Sequence, residues 1–118
     1  MGKTENKVNP IRITDADSGE VYVLEFSRES VRFAELRGLK ISELTDFPQT
    51  NIPLLWFCAF RKNHREVARN QTDKLLESLG GLKVTEIERL IQLYNQPTES
   101  LIISEGNDRK NDRLTVEM

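Results

Sequence analysis

The hydrophobic pattern at the start of the chain predicts a pair of β-strands. Ile11 and Ile13 alternate with polar residues, which is the period-two pattern of a strand with one buried face. Residues 21–26 are rich in β-branched and aromatic side chains, and residues 15–19 between the two segments favour a turn. We therefore expect an antiparallel β-hairpin that packs one face on helices, because an isolated hairpin is barely stable.

Beyond the hairpin the hydrophobic spacing becomes helical. A first helix is predicted over residues 27–37, in which Ser27 caps free backbone amides and Gly38 follows the last turn. One short helical turn is expected within residues 41–46, and it should close before Pro48 because proline restricts the residue that precedes it.

The central segment has the pattern of a buried helix. It is predicted to run from about residue 50 to residue 64 or 67, with Pro53 tolerated in its first turn. Its apolar residues surround the helix axis almost completely through Phe60. A helix that is apolar on all sides is covered on all sides, so we expect it to be the hub of the fold.

Two more helical segments follow the hub. Residues 72–79 predict a helix with one apolar face, which stops at Gly80. Thr85 and Glu88 have the spacing of a capping box, so they predict the start of the last helix. Pro97 is expected to break or restart that helix.

Together these elements predict one α+β domain over residues 1–103. An N-terminal antiparallel hairpin would pack on a bundle of about four to five α-helices. The chain has 118 residues and is 37% hydrophobic, which is enough for one modest core. Residues 101–103 form a last apolar patch, and residues 104–118 are polar enough to predict a disordered tail.

Charge and cysteine content narrow the function classes. The chain carries 17 Lys and Arg against 19 Asp and Glu, whereas dedicated nucleic-acid binders have a basic excess. The lone Cys58 excludes a disulfide framework and a multi-cysteine zinc site, which favours the cytoplasm. The sequence contains no run of 18 apolar residues, so it predicts no membrane span, and its polar start does not resemble a signal peptide.

The sequence predicts no catalytic residue, metal site or cofactor. Asp15 and Asp17 resemble the opening of a calcium loop, but Glu20 and Phe26 occupy the positions that need glycine and a bidentate carboxylate. His64 and Cys58 are six residues apart, so they cannot pair on one helix face. We expect Cys58 to be core packing and His64 to be a helix-end or surface group.

Residues 61–69 are the one locally basic segment. They could contact phosphates or an acidic partner, whereas cations at a helix end also complement the helix dipole. A solvated face is the commoner fate of such a run, so nucleic-acid binding is the disfavoured interpretation.

Apolar residues on the outer side of the first helix suggest a docking surface. Phe33 and Leu36 point away from Val31, which belongs to the inward stripe of that helix. They mark either a second packing layer or a surface for a partner. Our hypothesis is that Phe33 and Leu36, with Leu54 and Phe57, form a partner-binding surface.

The order and spacing of several segments resemble the short tail assembly chaperones of long-tailed bacteriophages and prophages. The resemblance covers roughly residues 8–103, and Asn63 departs from it because a second histidine is expected before His64. It is carried by Leu24-Glu25-Phe26-Ser27-Arg28, by Gly38, by Phe47-Pro48-x-Thr50, by residues 53–64 ending in Ala59-Phe60-Arg61-Lys62-Asn63-His64, and by Leu93-Tyr94-Asn95-Gln96-Pro97.

This resemblance implies a non-enzymatic role in the host bacterial cytoplasm. Proteins of that family are encoded just ahead of the tape-measure gene and coat the tape-measure protein until tail-tube subunits polymerise around it. A longer form made by ribosomal frameshifting recruits the tail-tube protein. The resemblance implies no membrane partner and absence from the mature virion, and self-association stays open.

Two other functions remain as alternatives. The chain could be a small adaptor or inhibitor that docks a single partner through the same apolar surface. It could also be a nucleic-acid-binding module that uses the basic run, in which case binding should weaken steeply with salt.

Overall fold

The computed structural model describes residues 8–99, 101–103, 106 and 113–118. It confirms the α+β fold with an N-terminal antiparallel hairpin and a helical bundle. The elements in chain order are β1 (Ile11–Thr14), β2 (Val21–Leu24), α1 (Arg28–Leu36), a 3₁₀ turn (Ile41–Glu43), α2 (Pro48–Ala59), α3 (Arg69–Leu79) and α4 (Val84–Glu99). Of the predicted tail, residues 106 and 113–118 contain no helix or strand, and the others lie outside the described residues.

The hairpin forms as the alternation predicts. Ile11 pairs with Leu24 and Thr14 pairs with Val21. In the turn, the Gly19 amide donates to the Asp15 carbonyl at 2.7 Å, and Gly19 has a φ of 81°, a conformation that glycine adopts without steric cost. The Asp15 carboxylate accepts from the Asp17 amide at 3.0 Å, as in an Asx turn.

The outer edge of β2 is covered by the segment that follows α2. The Val23 amide donates to His64 Nε2 at 2.9 Å, and Asn63 Nδ2 donates to the Val23 carbonyl at 3.1 Å. The Glu25 amide donates to the Ala59 carbonyl at 3.2 Å. These groups take the place of a third strand, because an open edge would leave backbone donors and acceptors unpaired.

Helix α1 begins and ends where its capping residues predict. The Ser30 amide donates to Ser27 Oγ at 3.2 Å, and the Ser27 amide donates to Ser30 Oγ at 2.8 Å. This reciprocal pair satisfies two donors at the helix start. At the other end Gly38 has a φ of 91°, which turns the chain out of the helix.

The prediction for the central helix is wrong at both ends. Helix α2 begins at Pro48, two residues early, and ends at Ala59 instead of continuing to residue 64 or 67. Phe60 caps it, and residues 61–66 form turns. The chain bends there because Asn63 and His64 bind β2, an interaction that helical periodicity does not reveal.

Helix α2 is nevertheless the hub that its apolar pattern predicts. It contacts α1, α3, α4 and the 3₁₀ turn. Trp56 and Phe60 are each 1% exposed and pack edge to face with ring centroids 5.2 Å apart. The Trp56 indole N–H donates to the Thr72 carbonyl at 2.8 Å, which ties α2 to α3.

Two predictions about the last helix are also wrong. Helix α4 begins at Val84, and the Lys83 amide donates to the Glu86 carboxylate at 2.8 Å, so Thr85 and Glu88 do not form the predicted capping box. Pro97 does not interrupt α4, which continues to Glu99. Pro97 cannot donate a hydrogen bond to the Leu93 carbonyl and its ring crowds that carbonyl, but the buried residues of the preceding turn hold α4 in place.

Within the part of the chain that the structure describes, no helix has both the length and the apolar character needed to cross a membrane.

Candidate functional site

Two of the predicted partner-binding residues meet at the contact between α1 and α2. The rings of Phe33 on α1 and Phe57 on α2 have centroids 6.0 Å apart and an interplanar angle of 57°. Both side chains are half-buried. The two helices therefore bring together an aromatic pair that remains partly open to solvent.

Arginine side chains cover this aromatic pair. The guanidinium carbons of Arg37 and Arg61 lie 4.0 Å and 3.9 Å from the centroid of Phe33. The guanidinium of Arg69 lies 5.8 Å from the centroid of Phe57. These distances are within the range of cation–π attraction. We call these five residues, Phe33, Phe57, Arg37, Arg61 and Arg69, the arginine–aromatic cluster.

The local sequence explains how the cluster assembles. Arg37 follows Phe33 by four residues and caps the end of α1, so it lies one turn along the same face. Arg61 follows Phe57 by four residues, just past the end of α2. The Phe-x-x-x-Arg spacing of Phe33 and Arg37 is a local signal that could have identified Arg37 as a partner of Phe33. Arg61 has the same spacing from Phe57 but lies over Phe33, a contact between separate elements that the spacing does not indicate.

The cluster holds positive charge that its surroundings do not neutralise. Among the described residues, neither Arg37 nor Arg61 has a carboxylate within ion-pair distance, and the buried Nε of Arg61 has no hydrogen-bond partner. The two guanidinium carbons lie within about 8 Å of each other, since both are near the Phe33 centroid. Two unit charges 8 Å apart repel each other by about 0.5 kcal/mol at an effective dielectric constant of 80 and about 2 kcal/mol at 20, and more at shorter separations.

The remaining cations of the basic run are paired with acids of the chain. Lys62 contacts Glu25 at 3.4 Å, Arg65 contacts Glu29 at 3.6 Å, and Arg69 contacts Asp73 at 3.2 Å. Residues 61–69 therefore do not form a continuous unpaired basic surface.

Cys58 lies beneath the cluster and is fully buried. Burial raises the pKa of its thiol from about 9 to about 11, although the charges of Arg37, Arg69 and Arg61 act in the opposite direction. A buried thiol that stays protonated at neutral pH is a poor nucleophile, so its place in the core fits packing.

His64, which we expected to be a helix-end or surface group, lies beyond the end of α2 and is half-buried at the edge of β2. Its Nε2 accepts the Val23 amide, and its ring packs edge to face on Tyr22 with centroids 5.4 Å apart. An acceptor nitrogen that is already occupied is not free to act as a general base. In the described residues, no group of three or more His, Cys, Asp or Glu could hold a metal ion.

The other two predicted partner-binding residues lie in opposite environments. Leu36 is 77% exposed, whereas Leu54 is only 6% exposed and belongs to the core. The expectation that Leu54 lies on the docking surface is corrected here, because the helices around α2 cover that side of it. Of the four predicted residues, Phe33, Leu36 and Phe57 are thus at least partly accessible to solvent.

A groove lies between α1 and the end of α4, beside Leu36. It has a volume of about 340 Å³ and is lined by Arg28, Val31, Arg32, Glu35, Pro97, Thr98 and Leu101. The helical spacing of α1 places Leu36 between the side that faces this groove and the side that carries Phe33. Residues 101–103, which continue from the groove, are also exposed and apolar.

A family model described as "Domain of unknown function (DUF5055)" matches residues 1–118. The chain belongs to the DUF5055 family. No curated protein and no solved structure matches this DUF5055 chain. The description of the family assigns no activity.

Proposed function

We propose that this protein is a phage tail assembly chaperone that binds and solubilises the tape-measure protein. Support comes from the resemblance over residues 8–103, which spans every helix and strand of the described fold. The single observation that carries the proposal is the exposed Leu36 between a groove and the half-buried Phe33–Phe57 pair. Such a surface suits an apolar stripe on a helical partner.

The chemistry of this surface suits reversible masking. A fully buried leucine contributes roughly 2 kcal/mol, so a few such contacts would give only modest affinity after the cost of association. Modest affinity would allow tail-tube subunits to displace the chaperone. In this proposal the protein acts in the host cytoplasm without catalysis, a longer frameshifted form recruits the tail-tube protein, and neither form enters the virion.

An adaptor or inhibitor that docks one other partner is the second candidate. The same exposed Leu36 favours it, because apolar docking does not require a phage partner. Nucleic-acid binding has less support, since Lys62, Arg65 and Arg69 are paired with acids of the chain itself.

Co-expression with the protein encoded downstream as the tape measure tests the proposal. We expect the soluble fraction of the tape-measure protein to rise when this chain is present, and Leu36→Ser to reduce that gain. Val84→Ser is the matched control, because Val84 is 70% exposed at the opposite end of α4 from the groove. An unchanged soluble fraction in the presence of the wild-type chain would refute the proposal.

The nucleotide sequence around the tail codons separates the two candidates. A slippery heptamer with an open −1 frame that runs past Met118 would support the chaperone. Without such a frame, the recruitment of tail-tube protein through a longer form would have to be abandoned.

A further inference from the structure

We propose that the arginine–aromatic cluster binds carboxylates of an acidic helical segment in the partner protein, with Arg37 and Arg61 as the binding residues. The inference deepens the proposed function and rests on it for the choice of a protein partner. It adds a charge requirement that apolar docking alone does not contain.

The first step is the orientation of the two guanidinium groups. Both guanidinium carbons lie about 4 Å from the centroid of the Phe33 ring, a cation–π contact that does not use all five N–H donors of a guanidinium. Stacking restricts the rotation of these side chains before any ligand arrives. A guanidinium held in this way presents the fork geometry that suits a carboxylate.

The second step is the unmet demand for an acceptor. The Nε atom of Arg61 is buried without a hydrogen-bond partner, which is rare for a polar atom in a folded protein. Arg37 and Arg61 also lack a carboxylate neighbour among the described residues, although they are within about 8 Å of each other. Incoming carboxylates beside these groups would reduce their mutual repulsion and accept from their N–H groups.

The third step distinguishes an acidic protein segment from a nucleic acid. A nucleic-acid backbone needs several unpaired cations along its path, because its affinity comes mainly from phosphate neutralisation. Here Lys62 and Arg65 of the same run are already paired with Glu25 and Glu29. Two cations without an ion-pair partner among the described residues, on a chain with net charge −2, fit one or two carboxylates better.

The fourth step concerns what lies next to the charges. Leu36 directly precedes Arg37 and is 77% exposed, so an apolar contact and a charged contact are adjacent on α1. A partner helix that fills both would carry an apolar stripe with Glu or Asp beside it, because residues three and four apart share a helix face.

Two synthetic peptides test the inference directly. Each is a 21-residue fluorescein-labelled helix with leucines on one stripe; the first has glutamates beside the stripe and the second has glutamines there. Binding to the full chain is measured by fluorescence anisotropy at 50 mM and 300 mM NaCl. We expect the glutamate peptide to bind at least tenfold more tightly at low salt, and the difference to shrink at high salt.

Substitutions then locate the charge dependence. Arg37→Gln should reduce affinity for the glutamate peptide about tenfold, and Arg37→Lys about threefold, because lysine keeps the charge without the fork. Arg65→Gln is the matched control; it removes the same charge from a side chain that is paired with Glu29, and it should change affinity less than twofold. Arg37 is exposed, so Arg37→Gln should keep the fold, which circular dichroism verifies.

Several outcomes would overturn the inference. These are equal binding of the two peptides, equal losses from Arg37→Gln and Arg65→Gln, no binding of the glutamate peptide up to 1 mM, and tighter binding of a single-stranded 20-mer oligonucleotide than of the peptide.

Co-expression keeps the two proposals separate. If the wild-type chain and Arg37→Gln solubilise the tape-measure protein equally well, the chaperone proposal survives and the charge requirement fails. If neither chain solubilises it while the glutamate peptide still depends on Arg37, the chaperone proposal fails and the acidic-segment site survives.

Discussion

Two adjacent residues of α2, Trp56 and Phe57, belong to regions that differ in burial and in whether their polar groups have partners. Trp56 is 1% exposed, and its indole N–H donates to the Thr72 carbonyl. Phe57, the next residue, is half-buried and packs on Phe33, with arginines over the rings. The Trp56 region has its polar hydrogen satisfied, whereas the arginine–aromatic cluster retains unneutralised charge.

This difference indicates which region already has partners within the chain for its polar and charged groups; we call that region, around Trp56, the finished region. A buried polar group normally has its partner, and leaving one out destabilises the fold. The Trp56 region follows that rule, so its interactions stabilise the domain itself. In the cluster, Arg37 and Arg61 have no carboxylate within ion-pair distance among the described residues, which makes this region the place where a second molecule would contribute most.

The largest expected loss of stability comes from removing the Trp56 side chain from the finished region. Trp56→Ala should lower the free energy of unfolding by about 4 kcal/mol, because it removes a buried aromatic side chain and leaves a cavity. Trp56→Phe should cost about 2 kcal/mol, since it removes the hydrogen bond to Thr72 and a smaller part of the buried ring system. Urea denaturation measures both. A loss below 1 kcal/mol for Trp56→Ala would show that this region does not hold the domain together.

The next effect in size is a dependence on alkaline pH. Burial raises the pKa of the Cys58 thiol to about 11 in the folded state. The protonated thiol therefore makes its full contribution to the free energy of unfolding below pH 9, the ordinary thiol value, and this contribution is lost as the pH rises toward 11. A two-unit shift corresponds to a loss of about 2 kcal/mol between pH 8 and pH 11. Burial also raises the pKa of Tyr94, to about 12, which adds to the decline above pH 10.

Cys58→Ala separates the thiol from the tyrosine. The variant should be less stable at pH 8 but should lose much less stability between pH 8 and pH 10 than the wild type. Chemical denaturation at each pH gives the comparison. If the free energy of unfolding fell with pH equally in the two proteins, the pKa of the thiol would be unshifted and water would reach Cys58.

How far the sequence predicts these two regions depends on the range of the interactions. Local signals were sufficient for the hairpin turn at Gly19 and for the start of α1 at Ser27, because the partners are within a few residues. The end of α2 was not predictable in this way, since it depends on the bond from Val23 to His64, 41 residues away.

The same limit applies to the candidate site. Helical spacing identified Phe33 and Phe57, and it placed Leu54 with them because that residue lies on the same side of α2 as Phe57. Burial of Leu54 depends on which helices surround α2, which one sequence does not specify. The stacking of Arg61 on Phe33 is likewise a contact between separate elements.

A smaller effect is expected where the hairpin meets the end of α2. His64→Ala should lower the free energy of unfolding by about 1 kcal/mol, because the half-buried Val23 amide loses its acceptor. Hydrogen exchange at Val23 should accelerate more than exchange at Leu24. Arg65→Ala is the control, since Arg65 is exposed and makes only a surface ion pair. Unchanged exchange at Val23 would contradict the role of His64 as an edge cap.

The smallest expected effect on stability is that of Leu36→Ser, and it gives the sharpest contrast with Trp56→Ala. Leu36→Ser should change the free energy of unfolding by less than 0.5 kcal/mol, because the leucine is already 77% exposed in the folded chain. Phe33→Ser with Leu36→Ser should cost more, since Phe33 contacts Phe57 and two arginines, but the domain should stay folded.

These variants are judged by urea denaturation together with partner binding. A free docking surface predicts a large loss of binding from Leu36→Ser with almost no loss of stability, which is the reverse of what Trp56→Ala should show. If the Phe33 and Leu36 double variant unfolds, the outer side of α1 is a second packing layer. The comparison between a finished region and an open one would then fail, because both would belong to the core.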